Sequence, residues 1–171
     1  MNNLNYILNR RSVRKYKNEQ VPENLIEDLL RAAMNAPSAA NQQPWHFVVI
    51  TDREALNEIS NIHGGYACLK NSPLAILVCA EPDAAKLKFY YQYDCAAATQ
   101  NILLAAGSVG LGAVWLGISP TSDKESSIIT RVLNIPKHIK PFSLVSVGFP
   151  DEAPEPADRF NKEKIHYNKV W

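Results

Sequence analysis

Residues 36–45 read APSAANQQPW and separate an amphipathic helical pattern from the apolar run at residues 47–50. Pro37 cannot continue the helix, because it lacks the N–H group that the i→i−4 ladder needs. Pro44 favours an extended backbone at Gln43. The side chains between the two prolines are small or carry amide and hydroxyl groups, so this loop could lie against a flat ligand and offer hydrogen bonds. Taken alone, the stretch favours a simpler interpretation, a polar connection between a helix and a strand.

The length and composition predict one globular domain spanning residues 1–171. Hydrophobic residues make up 46% of the chain, and the formal net charge of +1 gives no reason to expect nucleic acid or an anionic membrane as a partner. The cysteines, Cys68, Cys79 and Cys95, are widely spaced and predict neither disulfides nor a metal site. The polar N-terminus and the lack of a long apolar run lead us to expect a soluble, cytoplasmic protein.

Hydrophobic periodicity predicts helices and strands mixed along the chain, which indicates an α/β or α+β class. Helices are expected at residues 4–9, from residue 22, from the capping box at 51–54, at 94–109 and from the capping box at 122–125. Strands are expected at residues 47–50, 75–79, 113–116 and 142–147. Asp94 is expected to cap the longest helix and Gly110 to end it. Because that helix is apolar nearly all round, it should be buried at a subunit interface or, almost equally, at the centre of a monomer.

A second informative stretch, RRSVRKY at residues 10–16, carries a dense group of cationic side chains. The arginine fork matches phosphate oxygens well, and the hydroxyl of Ser12 lies among three arginines in the sequence. In an extended segment Arg10, Ser12 and Arg14 share one side. The pattern fits a phosphate clamp, although an isolated basic run is more often a solvated face.

Taken together, the two stretches resemble the nitroreductase family of flavoproteins. The resemblance rests on RRSVR at residues 10–14, APS at 36–38 with Asn41, and QPW at 43–45. It continues over essentially the whole chain, through Asp94 at the start of an alanine-rich helix, GLG at 110–112, VGFP at 147–150 and Arg159 before the aromatic tail. It implies an α+β, three-layer α/β/α fold with a central, mostly antiparallel sheet flanked by helices. It also implies an intertwined homodimer in which residues 151–171 wrap the partner subunit.

The resemblance further implies that FMN lies at the dimer interface. The residues that match the family's phosphate-binding positions are Arg10, Arg11, Ser12, Arg14 and, from the tail, Arg159. Those that match the positions along the isoalloxazine edge are Pro37, Ser38 and Ala39 of the other subunit, with Asn41 close in sequence. Those that match the loop approaching flavin N5 are Gly117, Ile118 and Ser119. A backbone N–H of that loop or the Ser119 hydroxyl could tune N5.

The activity implied by the resemblance is that of an FMN-dependent oxidoreductase. Electrons would pass from NADH or NADPH through flavin N5 to nitroaromatic, quinone or similar electron-poor acceptors by a ping-pong mechanism. We expect the flavin to carry the chemistry, with no catalytic side chain and no metal. Reductive dehalogenation, enone reduction and flavin binding without turnover, as in a sensory module, remain alternatives.

The chain departs from larger members of the family in several places. Residues 116–119 read LGIS, without the acidic residue that many members place near N5, and Asp158 precedes Arg159 where many have a lysine. No long insertion forms an obvious lid, and the aromatic segment at residues 86–93 is the nearest candidate. Its aromatic rings could wall the open face of the flavin or pack against the following helix. Cys95, near a helix start, could have a lowered pKa, but a packing role is favoured.

Overall fold

A computed structural model describes residues 4–119, 123–169 and 171. The strands are β1 Trp45–Ile50, β2 Leu74–Ala80, β3 Gly112–Gly117 and β4 Lys140–Gly148. They form an antiparallel sheet of order β1-β2-β4-β3, so β2 and β4 are central and β1 and β3 are the edges. The α-helices of the described residues are α1 Asn5–Leu8, α2 Glu23–Met34, α3 Arg53–Ser60, α4 Tyr91–Ser108 and α5 Asp123–Val132.

Strand β2 is buried along its whole length, because helices cover both faces of the sheet. Ile76 and Val78 pack in a core shared with α2 and α4. Ala75 and Leu77 alternate with them and pack on the opposite face, in a core shared with α3 and α5. This alternation places the sheet between two helical layers and confirms the predicted fold class.

The helix ends agree with the sequence at most positions. In the capping box at residues 51–54, the Asp52 Oδ1 atom accepts the Ala55 N–H at 2.8 Å, so Asp52 rather than Thr51 is the cap. Gly110 has φ +79° and follows the end of α4, as predicted, and the Leu111 N–H closes the helix by donating to the Ala106 carbonyl at 2.8 Å. Ser122, the first residue of the other predicted capping box, lies outside the described residues.

The prediction that Asp94 caps α4 was wrong. The helix begins at Tyr91, directly after a 3₁₀ turn at Lys88–Tyr90, and Asp94 lies inside its first turn. The Asp94 side chain is only 4% exposed and accepts its hydrogen bonds from a neighbouring loop. A carboxylate in the first turn satisfies the sequence signal for a helix start without being the cap, which is why the boundary was misplaced.

The N-terminal segment at residues 11–16 contacts the outer edge of β3 through Ser12 and Val13 and then pairs with the residues that follow β4, where Tyr16 bridges Pro150. Ser12 pairs with Ala113 in a parallel bridge, and the Val13 N–H donates to the Ala113 carbonyl at 3.0 Å. The approach is close: a Cβ atom at Gly112 would lie 2.6 Å from the Val13 Cγ1 atom. Farther along, the Tyr16 hydroxyl lies 2.6 Å from the Val13 carbonyl oxygen, which fixes the bend of the segment.

The C-terminal residues from 151 onward contain little regular structure apart from the 3₁₀ turn Lys162–Lys164. Several of their large side chains face solvent, with Phe160, Tyr167 and Trp171 exposed by 70%, 72% and 97%. None of the helices in the described part of the chain has the length and hydropathy needed to span a bilayer.

Candidate functional site

The arginine segment is held by its backbone, and its guanidinium groups form no salt bridge with the residues that the structure describes. The Glu152 Oε1 atom accepts the N–H groups of Arg14 and Lys15 at 2.6 and 3.2 Å. These bonds, above all the one from Arg14, lower the pKa of the Glu152 carboxyl. Among the described residues, no salt bridge involves Arg10, Arg11 or Arg14. The segment therefore presents concentrated positive charge on a fixed main chain, as an anion site requires.

The loop between α2 and β1 adopts an unusual backbone. Ala40, Asn41 and Gln43 have φ values of +49°, +51° and +47°, in the left-handed region that glycine normally occupies. Asn tolerates this region, whereas Ala and Gln each cost about 1–2 kcal/mol there. The Ser38 Oγ atom accepts the Gln43 N–H at 3.0 Å and closes the loop internally. Strain of this kind persists only where surrounding contacts impose it, and it is often found at binding sites.

The contacts that impose the loop conformation come from Asp94. Its Oδ1 atom accepts the Ala39 N–H at 2.8 Å, and its Oδ2 atom accepts the Gln42 Nε2–H at 2.6 Å. The Gln42 side chain continues the chain of bonds, because its Oε1 atom accepts the Leu87 N–H at 2.9 Å. Gln42 was not predicted as a site residue, because its side chain reaches a carboxylate 52 positions away in the sequence. The only sequence feature that could have pointed to Gln42 is that it is a polar residue in a loop.

Tyr66 and Glu125 hold the loop that follows β3 through hydrogen bonds to its backbone. The Tyr66 hydroxyl donates to the Gly117 carbonyl at 2.9 Å and also lies 3.2 Å from the Glu125 Oε2 atom. The same carboxylate oxygen accepts the Ser119 N–H at 3.0 Å. Burial and the neighbouring carboxylate raise the pKa of Tyr66, so this hydroxyl stays protonated and acts as a donor. Neither Tyr66 nor Glu125 was predicted, because both reach the loop from other elements.

A cleft of about 530 Å³ opens beside the same loop. Ile118 and Ser119 line it on one side, and Tyr91 and Phe142 contribute aromatic rings. Gly117 borders open space, since a Cβ atom at this position would meet nothing within 4 Å. The volume is within the range of sites that bind small organic molecules.

The sheet register gives the relative placement of the predicted site residues. Ser12 lies beside Ala113 near the start of β3, whereas Gly117 ends the strand, about 13 Å farther along at 3.3 Å per residue. Gly117 pairs with Ser143, and Val78 and Phe47 continue the row across the sheet. The arginine segment and the 117–119 loop thus share one edge of the sheet.

The 36–44 loop leads instead into the opposite edge. Phe47 on β1 is separated from Gly117 by two strands, or about 14 Å. The structure therefore places Ser12, with the neighbouring Arg10, Arg11 and Arg14, near the start of the strand that ends in the 117–119 loop. The loop of Pro37, Ser38, Ala39 and Asn41 leads into the strand at the opposite edge. Arg159, which is exposed in the tail, forms no salt bridge with any described residue.

The aromatic segment at residues 86–93 is only partly packed. Tyr91 packs against the core beneath α4, but Phe89 and Tyr93 are exposed by 92% and 72%. Packing against the following helix therefore does not account for these two side chains. That they wall a ligand stays a prediction.

The thiol of Cys95 has the packing role that the sequence favoured. The residue is fully buried, and burial raises the pKa of its thiol to about 12. Cys79, equally buried, has its pKa raised to about 12 for the same reason. A thiol that stays protonated at neutral pH is a poor nucleophile, so neither residue is a candidate for covalent chemistry.

Comparison with known proteins identifies the family. The model of the nitroreductase family matches residues 7–67 and 63–149. This chain belongs to the nitroreductase family. Membership is supported by a Methanothermobacter thermautotrophicus relative, provisionally named NADH dehydrogenase/NAD(P)H nitroreductase, which is 45% identical over 99% of this chain and 88% of its own length.

Solved nitroreductase-family structures have the same fold. A protein from Parabacteroides distasonis with the same provisional name superposes with a TM-score of 0.92 at 39% identity, over 98% of each chain. An FMN-dependent nitroreductase from Clostridium difficile gives a TM-score of 0.89 at 28% identity, over 98% of this chain and 99% of its own. The mixture of helices around an antiparallel sheet is thus a fold that this family shares.

Proposed function

We propose that this nitroreductase-family chain uses FMN to pass electrons from NADH or NADPH to nitroaromatic, quinone or similar electron-poor acceptors. The chain is an NAD(P)H-dependent flavin oxidoreductase, with FMN as its cofactor. The observation that carries the proposal is the layout of the β3 edge. A cluster of arginines that form no salt bridge with any described residue lies near one end of the strand, and a loop that begins at the open Gly117 position lies at the other end.

The chemistry of this edge fits FMN. The phosphate needs concentrated positive charge, which Arg10, Arg11 and Arg14 supply beside the Ser12 hydroxyl. The separation of about 13 Å between Ala113 and Gly117 suits an extended molecule with a phosphate at one end and a flat ring at the other. Arg159 of the tail would add to the phosphate site.

The flat ring needs a wall of small residues and polar main-chain groups. Pro37, Ser38 and Ala39 provide such a wall, with Asn41 nearby, in a loop whose shape is already imposed by Asp94. Because this loop lies toward the other edge of the sheet, a second copy of the chain is the better source of it. We therefore propose a homodimer with two equivalent flavin sites. In each subunit one domain spans residues 1–171, and residues 151–171 wrap the partner.

When bound, FMN supplies the redox chemistry, accepting hydride equivalents at N5 and delivering them to an acceptor. The residues of the chain bind and orient. The arginines anchor the phosphate, while Tyr66 and Glu125 fix the backbone of Gly117 and Ser119 where it would face N5. No proton-transfer side chain is needed for hydride transfer itself, so we assign no catalytic acid or base.

The decisive experiment follows the visible spectrum of the purified protein without oxygen. We expect the absorption of bound flavin, its loss on addition of NADH or NADPH, and its return when a nitroaromatic or quinone is added. Bound flavin that neither nicotinamide reduces would indicate a binding or sensory module. Protein that binds no FMN on reconstitution would refute the proposed function. An acceptor screen that includes halogenated phenols and enones distinguishes the reductase activities of the same fold.

A further inference from the structure

We propose that Asp94 and Gln42 are positioning residues that hold the 36–44 loop and the aromatic segment at residues 86–93 as one unit. The inference rests on the proposed function, since it assigns the loop to the flavin ring. The proposed function does not require the 36–44 loop and the 86–93 segment to be linked, and the inference adds that link. The surface that would contact the ring and the exposed rings of Phe89 and Tyr93 are fixed by the same buried carboxylate.

The Asp94 carboxylate is fully engaged by this loop. It is 4% exposed, and among the described residues no salt bridge involves it. A buried carboxylate is tolerated only where hydrogen bonds replace its hydration. The Ala39 N–H occupies Oδ1 and the Gln42 amide occupies Oδ2, so both bonds that offset burial come from the 36–44 loop. Asp94 therefore stabilises the loop rather than the end of α4.

Gln42 is suited to its place because an amide carries both a donor and an acceptor. Its Nε2 atom donates to Asp94 and lies 3.3 Å from the Leu87 carbonyl oxygen, while its Oε1 atom accepts the Leu87 N–H. A glutamate here would place two carboxylates together, and a hydrocarbon side chain would leave both Asp94 Oδ2 and the Leu87 N–H without partners. The side chain thus joins the 36–44 loop to the backbone at Leu87, two residues before Phe89.

The backbone conformation explains why such a clamp is needed. Ala40, Asn41 and Gln43 are all left-handed, and this conformation has to be imposed from outside the loop. The Ser38 hydroxyl closes only the loop itself, whereas Asp94 ties it to α4. Loss of the clamp should therefore change the position of the main chain at Ser38 and Ala39, where we expect the ring of the flavin.

The test exchanges the two functional groups. Gln42→Glu alone places a carboxylate against Asp94, and Asp94→Asn alone weakens the acceptor for Gln42. With both substitutions, the amide at position 94 can accept the Ala39 N–H and donate to the carboxylate at position 42, which still accepts from Leu87. Gln42→Leu is a second variant that removes the hydrogen bonds to Asp94 and Leu87 without adding charge. Asn57→Leu, at an exposed amide on α3 in the helical layer on the opposite face of the sheet, is the matched control.

We expect Gln42→Glu and Gln42→Leu to weaken FMN and riboflavin by the same factor, about tenfold, because the clamp acts on the ring and not on the phosphate. Amide hydrogen exchange at Leu87 should accelerate at least about tenfold in both variants, while exchange in β2 should stay unchanged. The double variant should return flavin affinity to within about threefold of the wild type, and Asn57→Leu should change neither quantity.

Three results would overturn the proposal. The first is a double variant that binds flavin no better than Gln42→Glu does. The second is a loss of affinity, in the single Gln42 variants, for FMN but not for riboflavin. The third is a Leu87 amide that exchanges at the wild-type rate in Gln42→Leu. If the wild-type protein binds neither flavin, the proposed function fails and with it the link to the ring. The exchange rates at Ala39 and Leu87 then still decide whether the clamp exists.

Discussion

The carboxylate of Glu152 lies 2.6 Å from the backbone nitrogen of Arg14, so the first residues after β4 fix the main chain of the arginine segment. This contact ties two parts of the sequence that are 138 positions apart. Because the carboxylate accepts backbone N–H groups, it forms no salt bridge with the Arg14 guanidinium, which pairs with none of the described acidic side chains. The arrangement makes the order of the proposed phosphate site depend on the charge of Glu152.

A first prediction therefore concerns pH. The Arg14 and Lys15 N–H groups lower the pKa of Glu152 below its usual value of 4.5. A carboxyl whose pKa is lower in the folded state stabilises the fold above its unfolded pKa, and this contribution is lost as pH falls through the folded value. We expect the amide resonance of Arg14 to titrate with a midpoint below 4.5. The titration should disappear in Glu152→Gln, and a midpoint at or above the usual value would contradict the assignment.

A second prediction concerns the phosphate. Replacing Arg14 or Arg159 with Ala should weaken FMN about tenfold to a hundredfold, as expected for loss of a charge-assisted hydrogen bond. Riboflavin, which lacks the phosphate, should bind almost as before. Arg131→Ala is the control, since Arg131 pairs with Glu58 on another face. Equal loss of both ligands in titration calorimetry would show that the arginines act elsewhere.

A third prediction concerns the close approach at the start of β3. Gly112→Ala should destabilise the protein by about 1–3 kcal/mol, because the added methyl group overlaps Val13 and displaces the arginine segment. The displacement should also weaken FMN. Gly107→Ala is the matched control: an added Cβ there meets nothing within 4 Å, and removal of a helical glycine should stabilise by about 0.5–1 kcal/mol. Urea denaturation measures both, and equal effects would argue against the overlap.

A fourth prediction concerns assembly. Large apolar side chains are exposed on α1, on the aromatic segment and on the tail, with Ile7 at 55%, Phe89 at 92% and Trp171 at 97%. We infer that a partner subunit covers these side chains, since large apolar patches on a surface usually mark interfaces. We expect light scattering to give the mass of a homodimer, with two flavins bound per dimer. A monomer that retains FMN at working concentration would refute this.

A fifth prediction concerns kinetics. If nicotinamide and acceptor use the same exposed face of the flavin in turn, initial rates measured across both substrates should give parallel double-reciprocal lines. A Phe89→Ala variant should raise the KM for aromatic acceptors if the exposed ring forms part of the site wall. Intersecting lines, together with simultaneous binding of both substrates, would rule out alternation.

Much of the fold could be predicted because it depends on local patterns. The uninterrupted apolar run from Ala75 to Cys79 identified β2, and Gly110 marked the end of α4. The boundary at Asp94 was misplaced because an acidic residue favours the first turn whether or not it caps the helix. Local signals could not show that its carboxylate points out of the helix toward a distant loop.

The residues that hold the candidate site in place could not be predicted from the sequence, for a similar reason. Residues expected to touch the cofactor belong to short motifs, whereas those that hold the motifs in place are scattered. Gln42, Tyr66 and Glu125 meet their partners only after the helices pack on the sheet. The left-handed conformation of Ala40 is likewise unpredictable from an alanine, since it results from contacts made by neighbours.

The strand order has a consequence for synthesis on the ribosome. Within the described sheet, β4 is the only strand that links β3 to β2 and β1, and β4 is made after the other three strands. A nascent chain that ends before residue 140 therefore leaves one edge of the apolar β2 unpaired, where it could pair with another chain. The bridge from Tyr16 to Pro150 and the hydrogen bond from Arg14 to Glu152 also form only after Pro150 and Glu152 have been made. The arginines precede all four strands in the sequence, yet their backbone reaches its final position only after residues 150–152 have been made.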